Sequence, residues 1–218
     1  IDILEAATNN SVAGAMTAAD GTYATGRLLP PGSYKVRARG PNVAQQTLGP
    51  FTVVDGADTT VDFALSVGGT ITGTVRRALD SQPLGGVAID VFAAATNAFI
   101  DGSFITFSDG TYTTNGLATG TYKVRARAVG YATAFSNGVQ TFNLAAFVSV
   151  TAGNPPTVVD FSLAVGRSIT GTVTGSGPVA GVLIDVFTSA NQFVEGSFVS
   201  DANGAYTTEG RLAGGVSY

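Results

Sequence analysis

One phrase recurs along this chain, and repetition constrains a fold before any single motif does. Ser108 to Arg127 reads SDGTYTTNGLATGTYKVRAR, Ala19 to Arg39 reads ADGTYATGRLLPPGSYKVRAR, and a third version begins at Asp201 as DANGAYTTEGRLAGGVSY. Each copy is a turn, a short strand, a second glycine-bearing turn and then the start of a long alternating strand. In that strand Tyr122, Val124 and Ala126 share one face, with Lys123, Arg125 and Arg127 on the other. This is the two-residue period of a half-buried strand. Two more landmarks return 98 residues on: Ile71-Thr72-Gly73-Thr74-Val75 at Ile169 to Val173, and Val61-Asp62-Phe63 at Val159 to Phe161. Ile1-Asp2-Ile3 likewise matches Ile89-Asp90-Val91 and Ile184-Asp185-Val186.

These matches predict a partial repeat over 1–67, a complete one over 70–165 and a second partial one over 168–218. The junctions between them are a few residues long, which restricts how far neighbours can swing and predicts a semi-rigid array. In the complete repeat, strands are expected near 70–76, 86–93, 103–108, 111–116, 121–129, 146–151 and 157–165. Turn signals fall at intervals that suit a sandwich, and no window shows a sustained 3.6-residue apolar period. The expected class is all-β: tandem seven-stranded, immunoglobulin-like or prealbumin-like β-sandwiches in a linear array. The ragged outer repeats are expected to reflect an excerpt of a longer repetitive protein, and an opening on Ile1 without a leader pattern is expected of a processed form or an excerpt. Exchange of halves between subunits fits less well. The strands around Ile1 to Thr25 and Ile184 to Thr208 occur in both fragments, so joining them would leave duplicates.

Composition narrows the chemistry. Charged residues are 12% of the chain and the net charge is −4, against about 25% charged in an average soluble protein. An acidic balance disfavours nucleic acid, which needs a basic surface. There is no Cys, His or Trp, so disulfides, thiolate metal sites and the commonest general base are all lacking. The longest apolar run, Leu144 to Val150, is interrupted by Ser149 and is far too short for a membrane span. No cofactor is expected.

The order ITGTV, PLGGVAIDVF, SDGTYTTNGLATGTYKVRARAVGYA and VVDFSLAV resembles the carboxypeptidase regulatory-like domain, and is similar to the B-type repeats of collagen-binding surface adhesins. The most specific part is Asp109, Gly110, Tyr112, Leu117, Gly120, Tyr122, Val124, Gly130 and Tyr131. The resemblance implies prealbumin-like seven-stranded sandwiches that serve as stalks, spacers and accessory domains. Gly110 and Gly120 are expected where turns need positive φ or a close backbone approach. Tyr112 and Tyr122 are expected to bury their rings and find a partner for each hydroxyl. Pilus-type relatives carry a Lys–Asn isopeptide bond. Here the first strand offers Arg76 and Arg77, the last offers Asp160, and the only lysines, Lys35 and Lys123, lie on another strand, so no such crosslink is expected.

Candidate surfaces follow from strand parity. Lys35, Arg37, Arg39, Lys123, Arg125 and Arg127 form a basic stripe that could grip a surface polysaccharide; the favoured reading is a solvated face paired with carboxylates such as Asp62, Asp90 or Asp160. The same parity predicts that Asp90, Asp160, Asp185 and Glu195 point outward to solvent, with no pocket that would make them an acid–base pair. Asp201-Ala202-Asn203-Gly204 has the first ligand positions of a calcium loop without the rest, and turn chemistry explains it. Leu4, Phe92, Leu183 and Phe187 are large apolar residues at outward positions, which suggests a surface that expects a partner, unless a bulge switches the parity. Asn9-Asn10-Ser11 is a glycosylation sequon.

The leading expectation is a non-catalytic segment of an extracellular fibre, filament or cell-surface stalk, with partners among neighbouring repeats or further copies of the same protein. The alternatives are a surface adhesin or carbohydrate-binding module, and accessory domains of a large secreted hydrolase or outer-membrane receptor.

Overall fold

In a computed structural model, which describes residues 1–26 and 29–218 except for the side chains of Ser103 and Ser197, the alternating phrase is a strand in both places where it runs in full. Contacts divide the chain into two compact units. One comprises Ile1–Thr70 with Asn115–Thr119 and Thr151–Pro155, and the other comprises Ile71–Thr114, Gly120–Val150 and Pro156–Tyr218.

The first unit holds β1 (Asp2–Glu5), β2 (Ser11–Gly14), β3 (Gly32–Gly40) and β4 (Val43–Val53), antiparallel in the order β2-β1-β3-β4. Tyr34, Val36 and Ala38 on β3 point to one side and are buried. Ile3, Tyr34, Val36 and Val61 form the centre of the core, with Leu48, Phe51 and Phe63 packed around them. The β-branched and aromatic residues suit this pleated surface. Residues 22–26 and 57–66 belong to no strand ladder.

The second unit holds β5 (Ile71–Arg77), β6 (Ala88–Ala93), β7 (Phe99–Ile105), β8 (Thr111–Thr113), β9 (Gly120–Ala128), β10 (Tyr131–Phe135), β11 (Val148–Val150), β12 (Thr157–Val158) and β13 (Phe161–Leu163). From the third sequence repeat come β14 (Thr170–Thr172), β15 (Leu183–Phe187), β16 (Phe193–Val199) and β17 (Ala205–Thr207). One sheet runs β10-β9-β6-β7, with β11 sharing the β9 edge beyond β10; the other is centred on β5, flanked by β8 and, in parallel, by β12 and β13. Ile71, Val75, Val87, Ile89, Val91 and Val124 are fully buried between them, each contributing about 1.5–3 kcal/mol of transfer free energy. In the third repeat β14 pairs with β17, and β15 with β16, over a core of Val186, Val194, Phe198 and Leu212. No α-helix occurs among the described residues; Phe142–Leu144 is one 3-10 turn. The class is all-β.

Two expected strands differ in detail, and one strand was not expected. The strand placed at 103–108 is β7, which ends at Ile105. Thr106 leaves the ladder because its hydroxyl donates to the Leu84 carbonyl at 2.8 Å while accepting the Val87 N–H at 3.0 Å. The strand placed at 157–165 is split into β12 and β13 at Val159-Asp160, where the Asp160 carboxylate accepts the Thr74 N–H at 2.7 Å. β10 was not anticipated, because its alternation in Tyr131–Phe135 is short and alanine-rich. Gly110 meets its expectation, with φ +77° and a Cβ position that would collide with the Val75 carbonyl oxygen. Gly120 does not: its Cβ would meet only ordinary contacts with the Tyr122 ring, so no close approach requires glycine there.

Candidate functional site

Two features built by the repeats stand out, a charged sheet face and a backbone junction. The face lies on β6 and β9, where Asp90 sits opposite Arg125 and two residues across from Arg127. One Asp90 oxygen accepts from Arg125 at 2.8 and 3.1 Å and from Arg127 at 2.8 Å. Asp90 is 1% exposed. Gly102 on β7 leaves it room, since a Cβ there would strike the carboxylate. Burial alone would raise the Asp90 carboxyl, but the two guanidiniums outweigh that and hold it below its ordinary value. The first unit repeats the arrangement in a wetter setting. Asp2 binds Arg37 at 2.9 Å and Arg39 at 2.7 Å, and the same contest of burial against two arginines lowers its carboxyl.

The rest of this face in the second unit is roofed. The connection from β10 to β11 brings Phe142 edge-on to Phe92 and Phe135, at ring separations of 5.2 and 5.5 Å. Phe99 covers Phe92 from β7 at 5.7 Å. Lys123, 5% exposed, donates to the Phe142 carbonyl at 3.1 Å and lies 4.4 Å from that ring's centre. A cation under an aromatic roof is worth about 0.5–2 kcal/mol.

The expectations for individual residues therefore divide. Asp90 and Glu195 are not outward to solvent: both are buried, Asp90 beneath its arginines and Glu195, 2% exposed, against the middle repeat. Glu195 accepts the Thr133 hydroxyl at 2.6 Å and lies 3.6 Å from Arg125. Asp160 and Asp185 are exposed as expected. Lys123 and Arg125 are no solvated stripe, and Phe92 is covered by its own repeat. Leu4 is buried as well; a bulge in the β1–β2 register at Ile3/Leu4 disturbs the simple parity, and Lys35, its cross-strand neighbour, reaches across to Asn9 at 2.9 Å. Leu183 and Phe187 remain open, 66% and 44% exposed, with Phe187 edge-on to Phe193. The Asp201 turn binds its own Asn203 and Ala205 N–H groups at 2.8 and 2.9 Å, which is turn chemistry.

The junction was not anticipated, although its glycines are visible in the sequence. In the first unit, Ala44 N–H donates to Ser66, Gly68 N–H to Asn42, Gln45 N–H to Gly116, and Gly69 exchanges both its bonds with Leu117. In the second unit, Ala132 donates to Ala164, Gly166 to Gly130, Thr133 to Arg211, and Arg167 exchanges bonds with Leu212. These bonds occupy equivalent positions in the two repeats. Glycine is obligatory at both. A Cβ on Gly68 would fall 2.8 Å from Gly116 Cα and from the Ala44 nitrogen; one on Gly166 would overlap the Gly210 carbonyl and lie 2.8 Å from the Ala132 nitrogen. Backbone meets backbone with no side chain between.

The model of the carboxypeptidase regulatory-like domain matches residues 3–66 and again 70–164. The chain belongs to that family. Among solved structures, the carboxypeptidase regulatory-like repeats align with a streptococcal ancillary pilin at 14% identity and TM-score 0.34, over 84% of this chain and 64% of that one. They align with the Bacillus anthracis TIE protein at 10% identity and TM-score 0.34, over 94% and 38%. A putative carbohydrate binding protein from Bacteroides uniformis aligns at 16% identity and TM-score 0.33, over 64% and 77%. The chain thus spans less than two thirds of the first two proteins. No curated protein matches.

Proposed function

We propose that this chain is a structural segment of an extracellular or cell-surface fibre, stalk or filament, made of modules 1–67, 70–165 and 168–218 joined in series, with no catalysis of its own. The observation that carries the reading is the junction: one set of glycine-dependent backbone bonds, used twice. The same backbone bonding pattern recurring within each unit is what a chain built from serial copies of one module would carry. Its partners are then neighbouring repeats of the same protein. The polysaccharide-binding alternative is weakened because the arginines that would grip a ligand are held by Asp2 and Asp90. Negative-stain imaging of the full chain tests the reading: elongated particles of constant width are expected, and a field of round particles would refute it. A glycan array with saturable hits abolished by Arg37→Ala would favour the adhesin instead.

A further inference from the structure

The hairpin between β1 and β2 carries Asn9-Asn10-Ser11, and Asn9 is the one asparagine of the chain followed two residues on by serine or threonine. Its counterpart is the hairpin between β6 and β7 in the middle repeat, and the two turns are built alike. The Asn9 N–H donates to the Glu5 carbonyl at 2.9 Å, and the Asn97 N–H to Ala93 at 2.8 Å. The Asn10 N–H donates to the Thr8 hydroxyl at 3.2 Å, and the Ala98 N–H to that of Thr96 at 3.3 Å. Both tip asparagines have φ +59°, as does Asn191 in the third repeat. Asparagine tolerates this left-handed region, so backbone conformation accounts for it at all three tips. It does not account for Ser11. The same place holds Phe99 and Phe193 in the other repeats, each edge-on to the phenylalanine opposite it in the hairpin.

Two further observations set this tip apart. Lys35 donates to the Asn9 amide oxygen at 2.9 Å, whereas its counterpart Lys123 turns to the Phe142 carbonyl beneath the aromatic roof. The Asn9 amide is thereby held by its oxygen, and its Nδ2 hydrogens have no partner among the described residues. Asn9, Asn10, Ser11 and Val12 are all exposed, and β2 is the outermost strand of its sheet. The tip therefore offers an amide nitrogen on the surface with room for a bulky substituent.

We propose that Asn9 is an acceptor for an N-linked glycan, the modification that takes the pattern N-x-[ST] on the surface of a secreted protein. The co-substrate is an oligosaccharide carried on a lipid pyrophosphate. In the transfer, Asn9 Nδ2 bonds to the anomeric carbon of the first sugar and gives up one proton to a base of the transferase. The carbon–oxygen bond to the pyrophosphate breaks, and its electron pair leaves with the lipid carrier. The glycan then stands at the start of β2, beside an unpaired strand edge where Val12 is half-exposed. Bulk at that place blocks pairing with another chain. The assignment rests on the extracellular reading.

The test is expression of the full chain behind a secretion signal in a cell with an active oligosaccharyltransferase, followed by peptide mass spectrometry. One glycan is expected, at Asn9, released by peptide N-glycanase with conversion of Asn9 to aspartate. Asn9→Gln and Ser11→Ala should each abolish it, and Ser11→Thr should retain it. Amide exchange on the glycosylated chain should show β1 and β3 as protected as in the bare chain. An unmodified Asn9 in both the wild-type and the Ser11→Thr chains would overturn the proposal, as would a glycan that survives Ser11→Ala, or loss of β1 protection once the glycan is attached. Because secretion is imposed, failure of the acceptor is distinguishable from failure of the fibre reading, which particle shape decides.

Discussion

Asp90 and Asp2 share a sequence position in their repeats and two arginine partners each, yet differ in how much water reaches them. Removing the Asp90 carboxylate takes from Arg127 its bond to that carboxylate and leaves Arg125 with the longer contact to Glu195. Asp90→Ala is therefore expected to cost about 2–3 kcal/mol in urea denaturation, the upper range for buried pairs being reduced because both arginines keep some solvent. Asp2→Ala, in the wetter copy, should cost about 1 kcal/mol; the reverse order would contradict the account. The pH dependence has a definite sign. Both carboxyls are lowered on folding, so on acidification the unfolded chain takes up protons first, near its ordinary value of about 3.9. The stability they contribute is complete above that value and is lost as pH falls through the folded one. Melting temperature should drop below about pH 4, and Asp90→Asn should flatten the drop. The KVRAR alternation told which way these side chains point. It could not tell that Asp90 is sealed, because parity assigns a face and says nothing of what lies over it.

At the scale of elements, the sheet face is closed by the connection between β10 and β11, whose sequence has no strand period and reads as an ordinary loop. Phe142 anchors it against Phe92, Phe135 and Lys123. Phe142→Ala should cost about 2–3 kcal/mol in denaturation, at the low end for a large aromatic because the ring is only half-buried. It should also raise amide exchange at Ala145 and Val148; an unchanged midpoint would mean that the roof contributes nothing. The junction makes a sharper prediction. Gly166→Val puts atoms where the Gly210 backbone runs, and overpacking of this kind costs about 1–3 kcal/mol. Amide exchange should then accelerate at Thr133, Arg167 and Leu212 while β6 and β9 keep their protection. Uniform acceleration across the unit would mean that the junction is not a separable element. Both junction glycines stood in the sequence, but a glycine needed for close approach looks the same as one needed for a turn.

Taken as a whole molecule, the second unit joins two sequence repeats through Glu195, which couples Thr133 and Arg125 to the third repeat. Glu195→Ala should uncouple them, so that a single thermal transition of this unit separates into two; a single transition that only shifts would count against the coupling.

The sequence by itself determined the all-strand class, the repeat spacing, the order of strands around the shared phrase and the family. Those properties follow from local periodicity, turn residues and recurrence, each written within a few neighbouring positions. Only the tertiary structure decided that Asp90 and Glu195 are buried, that Phe92 and Leu4 are covered, that glycine backbones meet at the junctions, and that Lys35 holds the Asn9 amide. Each of these depends on segments dozens of residues apart arriving at one place, and one-dimensional patterns carry no record of which segments meet.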